Sequence, residues 1–183
     1  MKYNVTVIEN TIGISFKESK SHIVIRVQAG VDHIVKRIIE KVQVHRSIKA
    51  LRIIAHGNAG SIYLKGSESH RFKTTDMWSF ECLKPYMAHH GFCELHSCGV
   101  ASATSVVGSG AIDNPECVPG TDAADSDGRS MLWALSVALG VPVTAGFNCQ
   151  TVEDNDDFEF EGPTLKAYPN RNRMKYKSTL KAG

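Results

Sequence analysis

Leu51-Arg52-Ile53-Ile54-Ala55-His56-Gly57-Asn58-Ala59-Gly60 carries an apolar, β-branched run that stops abruptly at a histidine followed by glycine. Such a run fits a strand covered on both faces of a sheet, so residues 51–55 are predicted to be a core strand with His56 at its carboxyl end. A second apolar run, 92–97, stops in the same way at Ser97-Cys98-Gly99. A histidine and a cysteine, each at the end of its own buried strand, are the base and the nucleophile that thiol chemistry requires.

Working upstream, residues 22–28 read His-Ile-Val-Ile-Arg-Val-Gln and predict the first strand of the main sheet. After Gly30, the residues Val31, Ile34, Val35, Ile38, Ile39 and Val42 recur at spacings of three and four. This is the stripe of an amphipathic helix, with Asp32, Lys36, Arg37, Glu40 and Lys41 on its wet side. Strand, helix and strand in this order favour a parallel pair of sheet neighbours at 22–28 and 51–55. Residues 3–8 and 14–16 alternate around turn chemistry at 10–13, which predicts an edge hairpin within residues 1–20.

Downstream the unit repeats. Residues 57–66 are punctuated by glycine, with a small strand expected at 61–64. Asp76 reads as the N-cap of a helix carrying Met77, Phe80, Cys82 or Leu83, and Met87 and ending at Gly91, and 92–97 follows as the next strand. Residues 99–127, with Gly108, Gly110, Pro115, Pro119 and Gly120, predict a long loop. Asp127-Gly128-Arg129-Ser130 then opens a helix through Met131, Leu132, Leu135, Val137, Ala138 and Leu139 that Gly140 and Pro142 close. Residues 141–147 give a fourth core strand. Glu153, Asp154, Asp156, Asp157, Glu159 and Glu161 surround a strand-like Phe158 and Phe160; the plain reading is a solvated turn, the functional one a lining for a basic substrate residue. The basic end, 169–183, is expected to be a flexible tail. The chain thus reads as one domain, 1–183, of three-layer α/β architecture with a mainly parallel central sheet.

Composition narrows the function classes. A chain of 183 residues with 42% hydrophobic and 22% charged residues can bury a core without staples. A net charge of +2, with its signs mixed along the chain, lacks the concentrated basic face of a nucleic-acid binder. No apolar stretch approaches membrane-span length and no signal peptide opens the chain, so a soluble cytoplasmic protein is expected, with export by a signal-free route left open. Five cysteines, an odd number, read as reduced thiols.

Ligands of parallel sheets bind beyond the carboxyl ends of the strands, and both His56 and Cys98 fall there. If their strands are neighbours, about 4.8 Å apart, the two side chains can share a substrate. Cys98 is then the nucleophile and His56 the base, with backbone N–H groups at Gly57, Cys98 and Gly99 as the oxyanion donors. This chemistry calls for no cofactor and no metal. A zinc site from His89, His90, Cys93, His96 and Cys98 is disfavoured, because on a strand Cys93 faces away from His96 and Cys98. His96 reads as a packed histidine. A calcium loop at Asp122, Asp125, Asp127 and Gly128 fails because Ala123 and Ala134 take its first and twelfth places.

Three blocks carry a family resemblance: Ile53-Ile54-Ala55-His56-Gly57-Asn58-Ala59-Gly60, Leu64-Lys65-Gly66, and Glu94-Leu95-His96-Ser97-Cys98-Gly99-Val100-Ala101. Together they resemble the caspase-like cysteine peptidases of clan CD, in which one apolar strand ends in His-Gly and another in the nucleophilic cysteine. They resemble still more closely a bacterial caspase-like domain of unknown function with the pattern Ser-His-Gly, Leu-Gly and Gly-Cys-x-Val-Ala. The resemblance spans 23–147 in order of elements and implies a caspase-like fold, a Cys98–His56 dyad, a role for Gly57 in the oxyanion hole, and a peptide or protein substrate. Ser97-Cys98-Gly99 departs from the caspase pentapeptide Gln-Ala-Cys-x-Gly, so aspartate specificity does not carry over, and Lys65 interrupts the Leu-Gly pair. Two other readings remain: a catalytically silent caspase-like binding module, and an α/β-hydrolase-type esterase, since His56-Gly57-Asn58-Ala59-Gly60 also resembles that fold's oxyanion loop. The oligomeric state is not legible.

Overall fold

A computed structural model describes residues 2–14, 16–27, 30–42, 47–64, 71–102, 106–108, 117–119, 127–148, 150 and 158–177. The elements in chain order are β1 (Lys2–Glu9), β2 (His22–Val27), α1 (Val31–Lys41), β3 (Ser47–Ile54), β4 (His56–Asn58), β5 (Ser61–Tyr63) and β6 (Arg71–Phe72). A 3-10 helix (Thr74–Tyr86), β7 (Met87–His96), β8 (Val106–Gly108), β9 (Cys117–Pro119), α2 (Gly128–Leu139), β10 (Val143–Gly146), β11 (Thr164–Tyr168) and β12 (Arg171–Lys177) follow.

The protein is α/β with a mainly parallel sheet in the order β12-β11-β10-β7-β3-β1-β2. β2, β1, β3, β7 and β10 run parallel, and β11 pairs antiparallel with both β10 and β12. The chain steps one way from β1 to β2 and the opposite way through β3, β7 and β10. With right-handed crossovers, the first connection must cover one face and the three later ones the other. The packing agrees: α1, the 3-10 helix and α2 share a single core with Val5, Val7, Ile25, Leu51, Ile53, Cys93, Leu95, Val143 and Ala145. On the reverse face Ile8 and Ile54 are covered by Ile12, Ile14, Phe16 and Phe158, so non-helical segments supply the third layer.

α1 buries the predicted stripe at Val31, Ile34, Val35 and Ile38. α2 keeps its predicted signals: Asp127 accepts the Arg129 N–H at 3.0 Å and Gly140 closes the helix at φ 69°. Among the described residues no helix is long and apolar enough to cross a membrane.

Several expectations are corrected. The edge hairpin of 1–20 is absent; Lys2–Glu9 is an interior strand wedged between β2 and β3, which are parallel but not adjacent. Val5, Thr6, Val7 and Ile8 are buried on both faces, which only an inner position provides. The segment after Asp76 is 3-10 rather than α-helical, with Lys73 as N-cap and the Asp76 carboxylate accepting the Lys73 N–H at 2.8 Å. Pro85 stops it early, and β7 begins at Met87, so Gly91 lies inside a strand. Within the expected loop 99–127, β8 and β9 pair antiparallel. Phe158 and Phe160 are not in a strand. The expected tail contains β12, joined to β11 through Pro169-Asn170 as a two-residue turn flanked by the Tyr168–Arg171 pair.

Candidate active site at the carboxyl edge of the sheet

β3 and β7 are neighbours in parallel register, with Ile54 opposite His96 and the Ala55 N–H reaching the His96 carbonyl at 3.4 Å. Their next residues carry the chain off the sheet at one place. His56 opens β4 and is exposed; Cys98 lies in the turn after β7 and is partly buried. β4 and β5 form a hairpin closed by Ala59-Gly60, and the Gly60 N–H bonds the Val100 carbonyl at 3.1 Å.

Gly57 seats that hairpin against the thiol turn. A side chain there would put its Cβ 2.8 Å from Ser97 Cβ and 2.9 Å from Val100 Cγ2, so only glycine lets the backbones approach this closely. In the hairpin Asn58 pairs with Ser61, which leaves Gly57, opposite Ile62, at a non-hydrogen-bonded position with its N–H turned away from β5. Ser61 and Ser97 are both buried, and neither hydroxyl has a hydrogen-bond partner among the described residues.

The thiol turn is fastened on its other side. Gly99 adopts φ 60° and donates its N–H to Asn148 O at 2.9 Å, while the Ala101 N–H bonds Gly146 O at 3.1 Å. The first residue of α2, Gly128, donates to Ser102 O at 3.1 Å. Gly99 therefore leaves the expected oxyanion set, because its donor is already used. Cys98's own N–H has no backbone partner among the described residues.

The Cys98 thiol is held above the ordinary cysteine range, chiefly by burial, with the Glu161 carboxylate adding to the effect. The backbone N–H of Gln150, hydrogen-bonded to the sulfur, pulls the other way without overcoming them. With its pKa raised, the resting group is a thiol, and no hydrogen bond joins it to His56 among the described residues. Unassisted alkylation should show this. With iodoacetamide at pH 7.5, Cys98 labels more slowly than exposed Cys82, and its rate keeps rising at pH values where an ordinary thiol has levelled off; peptide mapping by mass spectrometry reads both sites.

Gln150 escaped the sequence reading, and Glu161 enters it only as one of the acidic residues around Phe158 and Phe160. The Gln150 side-chain amide donates to Asn148 O (3.1 Å) and Glu161 O (3.0 Å) and accepts the Glu161 N–H (3.0 Å). Gly146 packs on that amide and Gly162, at φ 75°, packs on Asn148, which fixes the loop after β10 to the segment before β11. The only trace in the sequence is the spacing of these glycines around the end of β10. Of the acidic residues considered for a basic pocket, Glu153, Asp154, Asp156 and Asp157 lie outside the described residues, and Glu159 and Glu161 lie within them.

Beneath this edge, on the reverse face, Arg52 Nε donates to Glu94 Oε2 at 2.8 Å, and His96 Nε2 lies 3.7 Å from the same oxygen. Phe160 stacks on the His96 ring with centroids 4.4 Å apart, and Phe158 lies 4.1 Å from the Arg52 guanidinium carbon. His96 is thus a buried, packed histidine. Among the described residues no group of three or more His, Cys, Asp or Glu side chains is placed to hold a metal ion.

No protein-family model matches this chain, and comparison with curated proteins and with solved structures finds no significant match.

Proposed function

We propose that the chain is a caspase-like cysteine peptidase or a related thiol hydrolase, with Cys98 as nucleophile and His56 as base. The observation that carries this reading is the adjacency of β3 and β7, with Gly57 packed directly against Ser97 and Val100, so that His-Gly and Cys leave neighbouring strand ends together. Because the thiol rests protonated, attack is coupled to proton transfer. The sulfur bonds to the substrate carbonyl carbon while its proton passes to His56. The N–H groups of Cys98 and Gly57 stabilise the oxyanion. The imidazolium then protonates the departing amine as the C–N bond breaks. Water, deprotonated by His56, hydrolyses the thioester and restores the thiol.

An esterase of the α/β-hydrolase type fits less well. Its nucleophile sits on a strand-turn-helix elbow, whereas Cys98 is followed directly by a turn through Ala101, and the next helix among the described residues is α2 at Gly128. The silent binding module is favoured by the partial burial of Cys98, which raises its thiol pKa, together with the lack of a hydrogen bond to His56 among the described residues.

The test is labelling by peptidyl acyloxymethyl ketones, which need an assisted thiol. Labelling confined to Cys98, abolished in Cys98→Ala and slowed at least a hundredfold in His56→Ala, is expected from a hydrolase. Equal labelling of Cys82 and Cys98, unaffected by His56→Ala, points to the silent module.

A further inference from the structure

His89 and His90 stand apart from the chemistry at the carboxyl edge. They belong to the amino end of β7, where the pairing with β3 jumps from Ile48 opposite Met87 to Ala50 opposite Phe92. Two steps along β3 are thus matched by five along β7, so the chain between Met87 and Phe92 must bulge out of the ladder. Gly91 closes the excursion: a Cβ there would lie 3.0 Å from both Ala88 O and Ile48 O. Neighbouring residues of a regular strand point to opposite faces. The bulge suspends that alternation, and the two imidazoles lie side by side, with centroids 4.4 Å apart and planes inclined by 36°. Both side chains are exposed, and among the described residues neither ring has a hydrogen-bond or ion-pair partner.

The spacing of the rings is that of two ligands on one ion. An imidazole nitrogen binds a divalent metal at about 2.0–2.1 Å, which puts the ring centroid about 3.2 Å from the ion. Two such rings set at a right angle about the ion have centroids about 4.5 Å apart, and at the tetrahedral angle about 5.2 Å apart. The observed 4.4 Å matches the right angle, which belongs to tetragonal and octahedral ions. Inclined planes also intersect, so one point can lie in the plane of both rings, as shared ligation demands. Among the described residues no third His, Cys, Asp or Glu joins the pair.

We propose that His89 and His90 form a two-imidazole site for a divalent ion of right-angled geometry, nickel or copper, with water completing its coordination. Zinc, tetrahedral in its four-ligand sites, fits the pair less well. The site goes beyond the hydrolase reading and does not depend on it: the run of strand from Gly91 to Cys98 sets the two edges about 23 Å apart.

The test is calorimetric titration of the whole protein with Ni²⁺, chosen because, unlike Cu²⁺, it does not oxidise thiols. Binding to the parent is expected to be about a hundredfold tighter than to His89→Ala or His90→Ala, because each ring raises the local concentration of its partner. His89→Gln, which keeps the polar bulk, gives the same loss. His33→Ala, which removes an exposed histidine of α1, leaves the affinity unchanged. So does His56→Ala, which would weaken binding if the ion sat at the thiol edge instead. Zn²⁺ binds the pair roughly fivefold more weakly than Ni²⁺. Unfolding midpoints of the variants stay within about 0.5 kcal/mol of the parent, so lost binding is not lost folding. A parent affinity no better than that of the His89→Ala and His90→Ala proteins overturns the proposal, as does tighter binding of Zn²⁺ than of Ni²⁺.

Discussion

Gly128→Ala is expected to lower the stability of the protein by about 2–3 kcal/mol, although the same change inside an ordinary helix is stabilising by about 1 kcal/mol. The reversal comes from what the helix start touches. A Cβ at this position would lie 2.7 Å from both Ala101 C and Ser102 O, and closer still to Val100 O. All three are backbone atoms, held by the Ala101–Gly146 and Gly128–Ser102 hydrogen bonds, so no side chain can rotate to relieve the contact. Overpacking against a fixed neighbour costs about 1–3 kcal/mol, and the thiol turn must move or the first turn of α2 must fray. Urea unfolding should show a lower midpoint with an unchanged slope. Exposed Arg129→Ala, one residue on, should stay within about 0.5 kcal/mol of the parent. A neutral or stabilising Gly128→Ala would mean that α2 does not start against the Cys98 turn.

Arg52→Ala is expected to cost about 3 kcal/mol. Arg52 and Glu94 side chains are 16% and 19% exposed, so removing the guanidinium, which Phe158 covers, strands a largely dehydrated carboxylate. Breaking one side of a buried pair costs about 3–5 kcal/mol, and the residual exposure here places the effect at the lower end. Adding Glu94→Gln should recover part of the loss, because an amide needs no counter-charge. The pair also has a pH signature. Burial alone would raise the Glu94 pKa, but His96 and Arg52 together outweigh it and hold the group below the usual 4.5. A carboxyl depressed on folding adds stability that is fully present above its unfolded pKa and is lost as pH falls through the folded one. Unfolding midpoints should therefore decline from about pH 4.5 downward in the parent and decline less steeply in Arg52→Ala, where one of the two stabilising partners is gone. Equal slopes in the two proteins would remove Arg52 from this role.

The parts of the fold that were legible are those written in local periodicity. The stripe of α1, the start and stop of α2 and the abrupt ends of the strands at His56 and Cys98 all appear where their patterns place them. What was not legible depends on long-range choices. Nothing local to Val5, Thr6, Val7 and Ile8 says that this strand inserts between β2 and β3; only the double-sided burial of the run hints at an inner position. The β11–β12 hairpin carries its signal in Pro169-Asn170 and in alternation on either side, but its lysines and arginines resemble a solvated end, because edges and tails use the same charges. At the site, Gly57 was readable from the His-Gly motif. Gly99 as an oxyanion donor was not refutable from sequence, since its N–H is taken by a carbonyl about fifty residues away, at Asn148. Gln150 acts through its backbone N–H and through amide bonds to backbone atoms, which leave little trace in residue identity.

The one-sided arrangement of the helices has a consequence for the order in which the chain is finished on the ribosome. By the time β10 has emerged, α1, the 3-10 helix and α2 can all settle on their face, with Leu165 and Ala167 of β11 still to join that core. The reverse face then still shows Arg52, Glu94 and His96 to water, because Phe158 and Phe160, which roof them, are among the last described residues to be made. The same late segment carries Glu161 to the side of Cys98. Drying the Arg52–Glu94–His96 cluster and fastening the Glu161 segment to Gln150 are thus one final event, and a nascent chain halted after β10 would keep its reverse face wet.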